Sequence, residues 1–150
     1  MTSDPALPKI IALETLLEPS YIDSVGFEQR DGRLRIILSK DLRSIAGVLA
    51  QQVISGMLCQ QGLSLSGIDH WILHSGGRKV IDNVREALGL TDAQVRHSKC
   101  VLKNFGNMSS PTVLFVLDEV LRTATPRPGE SGVMLAMGPG LALETALLKW

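Results

Sequence analysis

The short apolar run Trp71-Ile72-Leu73 stops abruptly at His74-Ser75-Gly76-Gly77, and Val80, Ile81, Val84, Ala87 and Leu88 then recur at helical spacing. A buried strand therefore ends, turns on glycines and gives way to a helix, which commits the chain to an α/β fold. Gly89 stands where a helix takes its left-handed C′ residue, and Thr91-x-x-Gln94 reads as a capping box for a further short helix.

The remaining elements follow from the same rules. Lys9 to Leu17 reads as a strand, and the segment from Glu18-Pro19-Ser20 through Asp31-Gly32 as a polar connector. Alternation of Leu34, Ile36 and Leu38 with Arg33, Arg35 and Ile37 predicts a strand with one well-buried face, launched by the Asp31-Gly32 turn. Ser39 is the expected N-cap and Asp41 the first-turn acid of a helix that buries Leu42, Ile45, Ala46, Leu49 and Val53 and ends at Gln61-Gly62. A polar turn over Asn104 to Ser110 precedes Pro111, in the favoured first helical position. Val113, Leu114, Leu117, Val120 and Leu121 form the inward face of that helix, which should end near Thr123, before the Pro126-Arg127-Pro128-Gly129 linker. Gly132 to Met137 and Leu141 to Leu148 read as strands joined at Gly138-Pro139-Gly140, so that residues 1–150 form a single domain.

Charge excludes several function classes. Lys plus Arg equals Asp plus Glu at 15 each, with no run of like charge, so neither a nucleic-acid footprint nor a polybasic membrane patch is present. Aromatics are 4% of residues, too few for a base-stacking platform. Cys59 and Cys100 lie too far apart for a CxxC motif, so no metal site or disulfide framework is expected and both read as small core or semi-buried residues. The opening MTSDPALPK lacks a basic and then apolar leader, and no run reaches the roughly eighteen apolar residues of a membrane span. The expectation is a soluble, cytoplasmic protein.

Chemistry concentrates on two turns, His74 to Gly77 and Asn104 to Ser110, each following an apolar element that can aim its side chains. His74 and Asn107 could donate two hydrogen bonds to one oxygen, as a carbonyl becoming an enolate or tetrahedral oxyanion requires. From spacing alone, a histidine at a strand end is more often a structural hydrogen-bonder than a catalyst, and an asparagine in a glycine-containing turn more so still.

GNMSSPTVLFVLDE, Gly106 to Glu119, preceded by W-x-x-H-x-G-G at Trp71 to Gly77, resembles the paired signature of the type III polyketide synthases, the chalcone synthase-like enzymes. The Gly138-Pro139-Gly140 turn followed by Leu141-x-x-Glu144-Thr145 is similar to that family's closing GFGPG segment. The resemblance implies the second half of a thiolase-like layered α-β-α fold, with a mixed sheet flanked by helices. It implies an acyltransferase that decarboxylates malonyl-CoA and condenses the enolate onto an acyl chain, taken from an acyl-CoA starter and held on a cysteine. His74 and Asn107 match the family's oxyanion pair; the nucleophilic cysteine belongs to the first half, upstream of these residues.

Further residues are carried over from the resemblance. Ser109 and Met137-Gly138-Pro139-Gly140 match wall elements of the cyclisation pocket, and Gly77 and Lys79 lie where the family approaches CoA. Alignment on Lys40-Asp41 places Ile36 near the aromatic gatekeeper of plant chalcone synthases. Ser75, Phe105 and Met137 depart from the plant HPGG, YGN and GFGPG forms, and HSGG with MGPG resembles bacterial members, especially 3,5-dihydroxyphenylacetyl-CoA synthases. The expected partners are malonyl-CoA, the starter, a first half of the synthase and a second copy of the complete enzyme; no cofactor beyond the CoA thioesters is implied. Without that first half, the chain should present a large apolar surface. A non-catalytic acyl-CoA-binding module of the same fold and a fragment of an initiating ketoacyl-ACP synthase are the alternatives.

Overall fold

The computed structural model describes residues 7–39 and 42–150. Among the described residues, six strands and four α-helices follow the order β1 (Lys9–Leu17), β2 (Val25–Arg30), β3 (Arg33–Leu38), α1 (Leu42–Gln60), β4 (His70–Leu73), α2 (Arg78–Ala87), α3 (Arg96–Phe105), α4 (Pro111–Thr123), β5 (Ser131–Gly138) and β6 (Ala142–Lys149). The main sheet is mixed, in the order β1-β6-β5-β4, with β4 parallel to β5 and the other pairs antiparallel.

Strand alternation sorts the side chains into two cores. Trp71, Leu73, Val133, Leu135, Leu143 and Leu147 meet α1 and α2 on one face, against Ile54, Met57, Leu58, Ile81 and Val84. Ile72, Ala146 and Leu148 meet α3 and α4 on the other, against Val101, Val113, Val116 and Val120. The result is the expected α-β-α layering. The α4 helix begins at Pro111 and ends at Thr123, as its sequence signals predict. Its buried face is Thr112, Val113, Val116 and Val120, while Leu114 is exposed, correcting the predicted stripe by a small rotation of the helix. The reciprocal bonds of the Thr91–Gln94 box form, the Thr91 N–H donating to Gln94 Oε1 (2.9 Å) and the Gln94 N–H to Thr91 Oγ1 (3.4 Å), but they close a turn ahead of α3 rather than cap it, since that helix begins at Arg96 with Val95 as its N-cap.

Four further expectations are corrected. The polar connector contains a strand: β2 pairs with β3 in a hairpin closed by Asp31 (φ 53°) and Gly32 (φ 71°), a two-residue turn with both residues left-handed. Its strand character is hidden because Glu28, Gln29 and Arg30 carry no apolar alternation. The predicted burial of Leu34 and Ile36 on β3 is not found, since residues 33–37 are all exposed, and among the described residues the hairpin pairs with no other strand. Cys59 is exposed on α1, whereas Cys100 is half-buried as expected. Asn104, read as part of a turn, lies in the last turn of α3. Asp41, and the Lys40-Asp41 pair used to align Ile36, lie outside the described residues.

Apolar surface is left uncovered on β1 as well. Ala12 and Leu16 pack onto the α1 side, but Leu13 (70% exposed) and Leu17 (64%) point to the opposite face. No helix among the described residues is long and apolar enough to cross a membrane.

Candidate functional site

Because β4 and β5 run parallel, their carboxyl ends open on the same edge of the sheet, the usual place for a ligand crevice in α/β architecture. The His74 turn leaves β4 there, and the Met137-Gly138-Pro139 turn leaves β5. The His74 N–H donates to the Leu135 carbonyl (2.8 Å), which holds the histidine as one last rung of the parallel ladder. Its imidazole is buried, and desolvation lowers its pKa below the ordinary value. Gly76 leaves the ring its space: a Cβ there would lie 3.2 Å from His74 Cδ2 and 3.4 Å from Nε2.

Asn107 arrives from the far end of α3. Gly106, at φ 72°, stops the helix in a conformation that favours glycine, and Ser109 at φ 64° turns the chain back toward α4. The Ser109 N–H donates to Asn107 Oδ1 (2.9 Å), so the amide presents its nitrogen, which donates to the Gly76 carbonyl (3.3 Å). One of the two Nδ2 hydrogens remains for a ligand. Thr112 Oγ1 accepts the Met108 N–H (2.8 Å), pinning the loop to the first turn of α4.

His74 and Asn107 line one pocket of about 700 Å³, within the range of small-molecule and cofactor sites. Of the other residues singled out from sequence, Ile36, Gly77, Lys79, Ser109, Met137, Gly138 and Pro139 line it too. Gly140 does not; at φ 73° it turns the chain between β5 and β6. Sequence reasoning missed Val25, Gly26 and Phe27 on the hairpin and Arg78 on α2. Counting outward from the Asp31-Gly32 turn would have paired Phe27 with Ile36, as the register does. Neither Cys59 nor Cys100 lines the pocket. Among the described residues no group of His, Cys, Asp and Glu is placed to hold a metal ion.

A second buried imidazole, His97 on α3, also has a lowered pKa, chiefly through desolvation and then the Arg96 charge, with Glu119 opposing and His70 adding to the effect. For both histidines the unfolded chain binds a proton that the folded chain resists. Stability is therefore full above about pH 6.5, where both states are neutral, and falls as the pH drops toward the lowered folded values. Urea midpoints are expected to be lower at pH 5.5 than at pH 7.5, a window above the ordinary carboxylate range, and His97→Gln should shrink the difference. A midpoint that rises on acidification would contradict this account.

Residues 27–150 match the family described as chalcone and stilbene synthases, C-terminal domain. The chain belongs to that family. This synthase domain is 39% identical over 145 residues to a 3,5-dihydroxyphenylacetyl-CoA synthase of Streptomyces toyocaensis, covering 95% of the chain and 37% of the relative. It is 34% identical to a 1,3,6,8-tetrahydroxynaphthalene synthase of Streptomyces peucetius subsp. caesius, covering 95% of the chain and 38% of the relative. The domain thus spans about two fifths of the length of these curated relatives. Among solved structures, PKS-I of the brown alga Ectocarpus siliculosus superposes with a TM-score of 0.87 at 29% identity, over 95% of this chain and 39% of that one. The 1,3,6,8-tetrahydroxynaphthalene synthase of Streptomyces coelicolor has a TM-score of 0.88 at 23% identity over 95% of this chain and 41% of that one, a likeness of fold. The chain therefore has the C-terminal fold of type III polyketide synthases, in agreement with the resemblance read from its motifs.

Proposed function

We propose that this domain supplies the oxyanion side of a decarboxylating, carbon–carbon bond-forming acyltransferase site. The observation that carries the reading is the meeting of two hydrogen-bond donors, His74 and Asn107, in one pocket at the strand ends. Burial keeps the His74 imidazole neutral near pH 7, so one ring nitrogen carries a proton to donate; with Asn107 Nδ2 it makes a two-donor cradle.

The chemistry follows from that cradle. Malonyl-CoA places its thioester carbonyl oxygen on the two donors, and the bond to the carboxylate carbon breaks. Carbon dioxide leaves, and the electron pair becomes an enolate whose negative oxygen is held by His74 and Asn107. The enolate carbon then attacks the carbonyl of an acyl thioester, and the thiolate is the leaving group. That thiol is a cysteine outside these 150 residues, in a first half that completes the synthase, and the complete enzyme pairs with a second copy. Phe27, Ile36 and Met137 form an apolar wall for the growing chain, beside Ser109 and the Gly138-Pro139 turn. Arg78 and Lys79, with Gly77 at the head of α2, place positive charge where CoA phosphates would enter. The cycle draws on CoA thioesters alone.

Carbon dioxide release from malonyl-CoA, followed by product analysis, tests the reading on the chain alone and after co-production with a cysteine-bearing first half of a related synthase. Activity is expected in the combination only. A folded combination that binds CoA without releasing carbon dioxide would sink the assignment and favour an acyl-CoA-binding module.

A further inference from the structure

We infer that Ser75 and Ser98 are positioning residues that set the distance between His74 and Asn107, an inference that rests on the oxyanion reading above for its catalytic consequence. β4 is an edge strand of the sheet, and the two residues flanking His74 at its end, Leu73 and Ser75, both reach across to a single residue of α3. The Leu73 N–H donates to Ser98 Oγ (3.1 Å), and Ser75 Oγ donates to the Ser98 carbonyl (2.8 Å). Both serine side chains are fully buried, at 0% exposure. The His74 N–H between them is committed to Leu135 on β5, so three consecutive residues are tied alternately to the helix and to the sheet.

The geometry gives those bonds a purpose. An edge-strand amide such as that of Leu73 has no neighbouring strand to take it, and in a buried setting it needs another acceptor. Ser98 provides it from the first turn of the helix whose last residue, Phe105, leads through Gly106 to Asn107. A helix is stiff over seven residues, roughly 10 Å at about 1.5 Å per residue, so fixing Ser98 against Leu73 and Ser75 fixes the origin of the Asn107 turn relative to His74. At the other end, Asn107 Nδ2 closes the loop on the carbonyl of Gly76, one residue beyond Ser75. The two donors of the cradle are thereby held in a closed ring of protein bonds rather than on two independent loops. Donor placement of this kind matters because a displacement near 1 Å can cost about 100-fold in rate.

The test separates this coupling from the catalytic reading. In the labelled 150-residue chain, NMR reports the His74 imidazole titration and the Asn107 side-chain amide signals for wild type, Ser75→Ala, Ser98→Ala and the double variant. Each substitution removes one oxygen, and thermal melts establish that the variants are folded. The expected result is that either single variant shifts both the His74 midpoint and the Asn107 amide, and that the double variant is less than additive because the two bonds share Ser98. In the completed synthase the same variants should lower kcat about tenfold or more while KM for malonyl-CoA stays within about twofold, the pattern of lost transition-state alignment. If folded variants leave the Asn107 amide and kcat unmoved, the positioning role is wrong. Were the NMR coupling present while His74→Ala retained full decarboxylation, the structural link would stand and the oxyanion reading would fail.

Discussion

Replacement of His74 by alanine in the completed synthase is expected to slow malonyl-CoA decarboxylation by about 10²- to 10³-fold, the usual cost of losing one oxyanion donor. The loss should fall on kcat, with KM little changed, because the donor is worth most when the carbonyl oxygen carries its full charge. Asn107→Ala should cost a similar factor. Asn107→Asp tests the sign of the interaction: a carboxylate can still accept the Ser109 N–H, but it offers no hydrogen to the enolate and adds a repelling charge beside it. It should therefore be at least as impaired as the alanine variant. Rates of carbon dioxide release, measured at saturating malonyl-CoA, decide the matter; variants within about threefold of wild type would remove both side chains from the chemistry. On the proposed reading, in which both donors serve one oxygen, the double variant should lose much less than the product of the two factors.

The largest stability effect is expected at Gly47. This residue lies on α1 where that helix crosses α2, and a Cβ there would come within 2.7 Å of the backbone oxygen of Asn83 and 3.1 Å of the Ala87 Cβ. Backbone cannot rotate away as a side chain can, so the helices must separate. Gly47→Val should destabilise the chain by about 3 kcal/mol, the upper end of ordinary overpacking penalties, against a helix-propensity gain below about 1 kcal/mol. For a chain of this size that is a fall in Tm of roughly 6–12 °C. Gly56 on the same helix is the internal control, since a Cβ there would meet nothing within 4 Å. Gly56→Ala should stabilise the chain by up to about 1 kcal/mol of recovered helix propensity and raise Tm by up to roughly 2–4 °C. Equal effects at the two positions would show that close helix approach is not what Gly47 provides. The site would register the Gly47 change too, because α2 begins with Arg78 and Lys79 on the pocket wall.

Features that depend on a few neighbouring residues were legible along the chain. Pro111 starts α4, Gly89 and Gly62 take left-handed conformations after their helices, the Thr91–Gln94 box closes, and Gly140 turns β5 into β6. Each is a rule of backbone chemistry satisfied within one turn of chain, and each was therefore legible. The pairing of His74 with Asn107 was legible in a weaker way, through motifs that resemble a known family rather than through spacing.

Long-range packing, by contrast, sets what covers each surface and which distant groups meet. The alternation of β3 was read as a buried face, yet Leu34 and Ile36 are 72% and 62% exposed, because period-2 patterning records apolar side chains and not the layer that packs on them. Val116 rather than Leu114 is buried on α4 because the helix rotates to suit Ile72, Ala146 and Leu148, residues far away in sequence. Ser75 read as a substitution within a turn until the fold brought Ser98 to it across 23 positions of chain. Gly47 looked like any helix glycine until α2 was laid against it. Local signals are written into adjacent residues, whereas packing and hydrogen bonding between elements depend on three-dimensional neighbours that the order of residues does not name.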